Sequence, residues 1–189
     1  MTTFVALLRG INVGPSRRIA MSDLTRAVES LGHRRVETYL QSGNIVFDAD
    51  DDDPVAVCAQ LEDRLEAEIG QRIPILVMTA DELRRIVRDE PFLSSATCES
   101  RSLHATLLFD ASAASVLDTL DLPAATGERA AHKGRVIYLC LPRGYGRTKL
   151  NNAYLERTLR VRATTRNWRT MLALAALAEA HQPGTDPGA

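Results

Sequence analysis

The stretch Val36-Glu37-Thr38-Tyr39-Leu40-Gln41-Ser42-Gly43-Asn44-Ile45-Val46-Phe47-Asp48 decides the fold. Val36–Gln41 and Asn44–Asp48 are β-rich runs, and Ser42-Gly43 between them is a strong hairpin signal. Upstream, Thr3–Leu8 is a continuous apolar run that suits a central strand. A loop from Arg9 to Ala20 follows, punctuated by Gly10, Gly14 and Pro15. Ser22 is placed to cap a helix to Leu31, stopped by Gly32. Downstream, the acidic tract Asp48–Asp53 ends at Pro54, which suits the first turn of a helix reaching about Ile69. Ile75–Met78 makes another strand, and Thr79 with Glu82 forms a capping box for a helix through Arg88. Strand, helix, strand, strand, helix, strand is the split-βαβ succession of a ferredoxin-like α+β fold.

The second half echoes this order. A strand is expected at Ser102–Phe109 and a helix at Ser112–Leu120. Strands follow at Glu128–Ala131 and Arg135–Leu141 around a Lys133-Gly134 turn, then helices at Lys149–Leu159 and Arg166–His181. It lacks a convincing final strand, so the expectation is a smaller α+β half ending in helices. The implied division is 1–90, 100–181 and a Pro- and Gly-rich tail at 182–189.

The chain has 189 residues, 45% hydrophobic and 25% charged, the composition of an ordinary globular protein. Its formal net charge of -1 gives no whole-molecule drive toward nucleic acid or membrane. The local balance differs. From Arg143 to Arg169 the cations are Arg143, Arg147, Lys149, Arg157, Arg160, Arg162, Arg166 and Arg169, and the one carboxylate is Glu156. Cys58, Cys98 and Cys140 are scattered and odd in number, which reads as free thiols in a reducing, cytoplasmic setting. Neither a secretory leader nor a membrane-length apolar run is visible.

Topology then gathers polar residues. In a ferredoxin-like half, the end of the first strand shares a sheet edge with the Ser42-Gly43 turn. A two-residue loop would set Gln41 opposite Asn44. Arg9, Asn12, Gln41, Ser42 and Asn44 then converge as one cation, three carboxamides and a hydroxyl, a set suited to a phosphate or carboxylate. A second group lies at two expected helix starts near Thr148 and Thr165. There Arg147, Lys149 and Arg166 oppose the usual preference for acidic residues and would reinforce an anion site.

Several motifs fail. Gly144-Tyr145-Gly146 lacks the third glycine of a dinucleotide fingerprint, and the Lys149 segment is not a P-loop. Ser42 has no assigned base. His33, His104, His132 and His181 read as packed or surface residues, and Asp50–Asp53 reads as a solvated loop rather than a calcium site. Trp168 reads as a core anchor. No metal site is expected, the cofactor is unknown, and no reaction is legible.

Four blocks, Leu8–Gly14 (LRGINVG), Thr38–Phe47 (TYLQSGNIVF), Gly144–Leu150 (GYGRTKL) and Ala163–Thr170 (ATTRNWRT), together resemble the bacterial family catalogued as domain of unknown function 1697. The resemblance implies a two-part α+β arrangement with a ferredoxin-like first half, and it supplies no activity. Pro15 departs from the family pattern, which often has glycine there. The signature residues Arg9, Asn12, Gln41, Ser42, Asn44, Arg147, Lys149, Arg166 and Asn167 are the polar residues the topology singles out.

The leading expectation is a small phosphate-bearing or nucleotide ligand in a cleft between the halves. Arg9, Arg147, Lys149 and Arg166 would neutralise it, and Gln41, Asn44 and Asn167 would orient it. The alternatives are a nucleic-acid module using the Arg143–Arg169 face, with salt-sensitive binding, and a scaffold docking an acidic protein.

Overall fold

A computed structural model of the chain describes residues 1–12, 18–93, 98–110 and 127–181. The chain divides into two units: Met1–Arg84 together with the segment from Ala173 onward, and Arg85–Leu172.

The first unit holds strands β1 (Thr2–Leu8), β2 (Arg34–Tyr39), β3 (Asn44–Ala49) and β4 (Ile75–Thr79), with helices α1 (Met21–Glu29) and α2 (Pro54–Ile69). Helix α3 (Ala80–Arg88) leads on from β4. Strand order is β2-β3-β1-β4, and every neighbouring pair is antiparallel. This is the ferredoxin-like order the hairpin predicts. The apolar run of β1 becomes a central strand, with Phe4 through Leu8 all buried. Alternation sends Phe4, Ala6 and Leu8 into one core with Ile45 and Phe47 of β3. Leu24 and Val28 of α1, and Val57, Leu61 and Leu65 of α2, close that core at helical spacing.

Local signals explain most boundaries. Asp53 caps α2 by accepting from Val55 N at 2.9 Å, Pro54 opens it, and Gly70 ends it at φ 73°. Thr79 Oγ1 accepts from Glu82 N at 3.1 Å, as the capping box requires. Two expectations need correction. Ser22 does not cap α1, because the helix already begins at Met21 and Ala20 flanks it. The hairpin loop has four residues, not two, since Tyr39 pairs with Asn44 across Leu40–Gly43. Gln41 therefore does not face Asn44. Leu40 and Gly43 take left-handed φ values of 58° and 72°, and Leu8 N donates to Gly43 O at 2.8 Å.

The second unit holds β5 (Leu103–Leu108), β6 (Arg129–Lys133), β7 (Val136–Cys140) and β8 (Ala163–Asn167), with helix α4 (Asn152–Leu159). Helix α5 (Trp168–Ala180) follows β8 directly. The order β6-β7-β5-β8 is again antiparallel throughout and repeats the permutation of the first sheet. The second half does have a final strand, contrary to expectation: it is β8, paired with β5 from Ala163↔Leu108 to Asn167↔His104. The expected helix at Ser112–Leu120 and the tail at 182–189 lie outside the described residues. Leu108, Ile137 and Leu139 pack with Leu155 and Leu159 of α4. On the opposite side Tyr138 is buried, its hydroxyl donating to Ile86 O at 2.9 Å and its ring edge-on to Trp168 at 6.2 Å. Among the described residues, no helix is long and apolar enough to cross a membrane.

Candidate functional site

The polar edge of the first unit assembles as its strand order requires. Leu7 pairs with Asn44, Leu8 bonds to Gly43, and Arg9 N donates to Pro74 O at 2.9 Å. Asn12, at φ 54°, is a loop tie. Its Oδ1 accepts from Ile19 N at 2.9 Å, and its Nδ2 donates to Ile19 O at 3.1 Å and Gln41 O at 2.6 Å. Asn44 is fully buried and donates from Nδ2 to Tyr39 O at 2.7 Å and Ser42 Oγ at 2.9 Å. Both carboxamides hold the backbone in place. The polar side chains this edge presents to solvent are Gln41 and Ser42, next to an exposed Leu40 and a half-buried Arg9.

In the second unit the Gly144–Leu150 segment is a turn and not a helix start. Gly144 sits at φ 81°, and Tyr145–Arg147 form one 3-10 turn. Thr148 is buried. Its hydroxyl donates to Glu128 Oε2 at 2.8 Å and accepts from Leu150 N at 2.9 Å. The cap of α4 is Asn151, whose Oδ1 accepts from Tyr154 N at 3.0 Å. Arg147 and Lys149 are exposed on this turn. The Tyr145 hydroxyl donates to Thr165 Oγ1 at 3.2 Å and accepts from Asn152 N at 3.0 Å. Its ring stacks on His104 with centroids 5.4 Å apart.

The second expected helix also begins later, at Trp168. Thr165 and Arg166 lie in β8, and the cap of α5 is Asn167, whose Oδ1 accepts from Thr170 N at 2.9 Å. Successive strand residues face opposite sides of a sheet. Thr165 faces Tyr145, so Arg166 points away from the turn that carries Arg147 and Lys149. Arg166 is buried, donates to Thr164 Oγ1 at 2.8 Å and Thr165 O at 3.0 Å, and is lowered to about 10 by desolvation. Arg147 and Lys149 therefore share one loop, while Arg166 and Asn167 serve elsewhere.

A cavity of about 470 Å³ in the second unit carries an excess of positive charge among its described lining residues. Cys98, Arg101, Arg129, Cys140, Arg143 and Gly144 line it, with Glu99 as the one carboxylate among the described lining residues. Strand pairing builds it: Cys140 at the end of β7 lies opposite both Leu103 of β5 and Arg129 of β6. Arg101 Nε meets Glu99 Oε2 at 2.5 Å, and Arg129 lies over the Phe92 ring at 5.9 Å. Of these residues the sequence singles out Arg143, in the basic run. Arg101 and Arg129 carry no sequence signal, because 28 residues separate them until β5, β7 and β6 pair. Cys98 and Cys140 form a disulfide with Cα atoms 5.9 Å apart, which corrects the expectation of three free thiols; Cys58 stays outside it, its thiol donating to Ile75 O at 3.1 Å.

A larger cavity, about 760 Å³, lies in the first unit and is lined by Thr3, Arg35, Asp48, Thr79, Asp81 and His181 among others. Its buried groups are spent on one another. His181 Nδ1 lies 3.3 Å from Asp48 Oδ1 and its Nε2 lies 3.0 Å from Glu37 Oε1. Thr3 Oγ1 donates to Asp48 Oδ1 at 2.8 Å, and Arg35 Nε pairs with the same carboxylate. This network ties the residue after α5 to the first sheet. Among the described residues, no group of three or more His, Cys, Asp or Glu side chains could hold a metal ion.

Two units of mixed α and β structure, each on a four-stranded antiparallel sheet of the same strand order, define the class of protein. The chain belongs to the family described as "Protein of unknown function (DUF1697)", whose model matches residues 1–138. That span includes Arg101 and Arg129 and stops before Cys140 and the Gly144–Leu150 turn. Among solved structures the chain is similar to the conserved bacterial protein SP0830 from Streptococcus pneumoniae. The two share 21% identity over 94% of this chain and 98% of that one, with a TM-score of 0.70. At that identity the likeness is one of fold. No curated protein matches the chain.

Proposed function

We infer that the protein binds a small phosphate-bearing anion in the arginine-lined cavity of its second unit. The observation that carries this reading is the charge of that cavity: among its described lining residues, three guanidinium groups, from Arg101, Arg129 and Arg143, stand against the single carboxylate of Glu99. Guanidinium forks match phosphate oxygens two at a time, and clustered cations repel one another until an anion joins them. Arg147 and Lys149, exposed on the turn that begins at Gly144, add positive charge to the same loop. This reading replaces helix N-termini by a guanidinium cluster, because the two helices begin only at Asn152 and Trp168, which leaves Arg147 and Lys149 on the preceding turn and Arg166 in β8. It assigns no reaction, and it keeps a cytoplasmic setting as part of the proposal, although the Cys98–Cys140 disulfide removes the cysteine pattern as support for it.

Inorganic pyrophosphate is the simplest probe, titrated calorimetrically into the protein at low salt. Losing one charge-assisted contact costs roughly 1.5–3 kcal/mol, so Arg143→Ala should weaken binding about tenfold or more. No heat of binding to the unmodified protein at millimolar pyrophosphate rejects the reading. Nucleic acid on the Arg143–Arg169 face is the second reading, favoured by one observation: all eight cations of that run except Arg166 are exposed. It requires affinity for an oligonucleotide that falls steeply with salt and is indifferent to Arg101 and Arg129.

A further inference from the structure

The cavity that carries the anion-binding reading also carries a feature that reading does not use: the Cys98–Cys140 disulfide forms part of its wall. The two sulfurs belong to very different surroundings. Cys140 is buried at the end of β7, whereas Cys98 is half-exposed. Upstream of Leu103 the β5 ladder ends. There the disulfide and the Leu141 N–H bond to Ser102 O, at 2.8 Å, join residues 98–102 to the end of β7. Those residues bring Glu99 and Arg101 to the cavity. A disulfide placed where it holds the segment that carries ligand-facing side chains couples the redox state of the pair to the cavity, whatever it adds to overall stability.

We propose that the Cys98–Cys140 disulfide is a redox latch that sets the anion affinity of this cavity, high when oxidised and low when reduced. The proposal rests on the anion-binding reading. In the opening step, a thiolate of an external dithiol attacks Cys98 Sγ, the accessible sulfur, and the Sγ–Sγ bond breaks. Cys140 Sγ leaves and takes a proton. The second thiolate of the dithiol then attacks the mixed disulfide, releasing Cys98 as a thiol and the reagent as its cyclic disulfide. Two electrons and two protons pass to the cysteine pair. Glutathione disulfide runs the exchange in reverse. With the bond open, the segment that brings Arg101 to the cavity lined by Arg129 and Arg143 loses its covalent anchor, and ligand binding must supply the cost of ordering it.

The test compares pyrophosphate titrations of the glutathione-disulfide-oxidised protein, the same protein reduced with dithiothreitol, and Cys98→Ser. Hydrogen exchange at the Leu141 amide is followed in each. The expected result is affinity about tenfold weaker in the reduced protein and in Cys98→Ser, with faster exchange at Leu141. If Cys98→Ser does not fold, the dithiothreitol arm decides by itself. Equal affinity in both redox states keeps the anion site and overturns the latch. Unchanged Leu141 exchange, or failure of the pair to oxidise, also overturns it. Pyrophosphate binding in neither state rejects the anion site and the latch together.

Discussion

The Tyr145 hydroxyl donates to Thr165 Oγ1 at 3.2 Å, and through that contact the Gly144–Lys149 turn is fastened to β8. The same hydroxyl accepts from Asn152 N, while Thr165 Oγ1 also meets Asn152 Oδ1 at 2.6 Å and Thr106 Oγ1 at 2.7 Å. One phenol thus orders the turn, the start of α4 and the edge strand. Tyr145→Phe should lower stability in urea by about 1–2 kcal/mol, because it leaves Asn152 N and Thr165 short of a partner. Thr165→Val in the same background should cost less than it does alone, since both act through one network. Strictly additive losses would show that the contacts are independent.

Gly43 is required by both conformation and space. Its φ is 72°, and a Cβ there would lie 2.6 Å from Ile11 Cδ1 and 2.7 Å from Leu8 Cβ. Gly43→Ala should cost at least about 2 kcal/mol in urea unfolding. Gly134 is the control: it too has positive φ, but nothing lies within 4 Å of an added Cβ. Gly134→Ala should cost about 1 kcal/mol, strain alone. Equal losses would remove the steric part of the account.

How much of this was legible in the sequence differs by residue. The hairpin, the central β1 and the Asp53-Pro54 cap announce themselves, because turn chemistry, apolar runs and caps are local. Strand β8 does not. Ala163-Thr164-Thr165-Arg166-Asn167 contains one aliphatic residue, and a threonine before an arginine reads equally well as a helix cap. Pairing with β5 decides between the two readings, and no window of sequence contains that pairing. Asn12 and Asn44 have the chemistry of ligand contacts, yet the backbone groups around them claim it first. Arg101 and Arg129 become neighbours of one cavity through sheet register, which leaves no spacing rule to find them.

Acid should weaken the fold. Burial lowers the pKa of His33, with Asp50 and Asp51 opposing in part, and burial lowers that of His104 against the Ser102 carbonyl. Unfolded, each titrates near 6.5. Between the depressed folded value and 6.5 the unfolded chain binds more protons, so stability is full above 6.5 and declines as pH falls through that window. Urea midpoints should be lower at pH 5.5 than at pH 7.5, and His104→Gln should reduce the difference. A midpoint that rises on acidification contradicts the assignment.

The disulfide closes a loop with a sequence separation of 42. Chain entropy alone makes that worth roughly 4 kcal/mol against the reduced chain. Dithiothreitol should therefore lower the urea midpoint of the unmodified protein and leave that of Cys98→Ser unchanged. A midpoint indifferent to reduction would show that the pair contributes nothing to folding.

The central claim is that a guanidinium cluster in the second unit receives an anion. Arginine side-chain Nε resonances, assigned by single Arg→Lys replacements and followed by NMR as pyrophosphate is added, test it most directly. The account predicts saturable shifts at Arg101, Arg129 and Arg143, with Arg9 and Arg166 still. Shifts confined to Arg9, or small uniform drifts across all arginines, would contradict it.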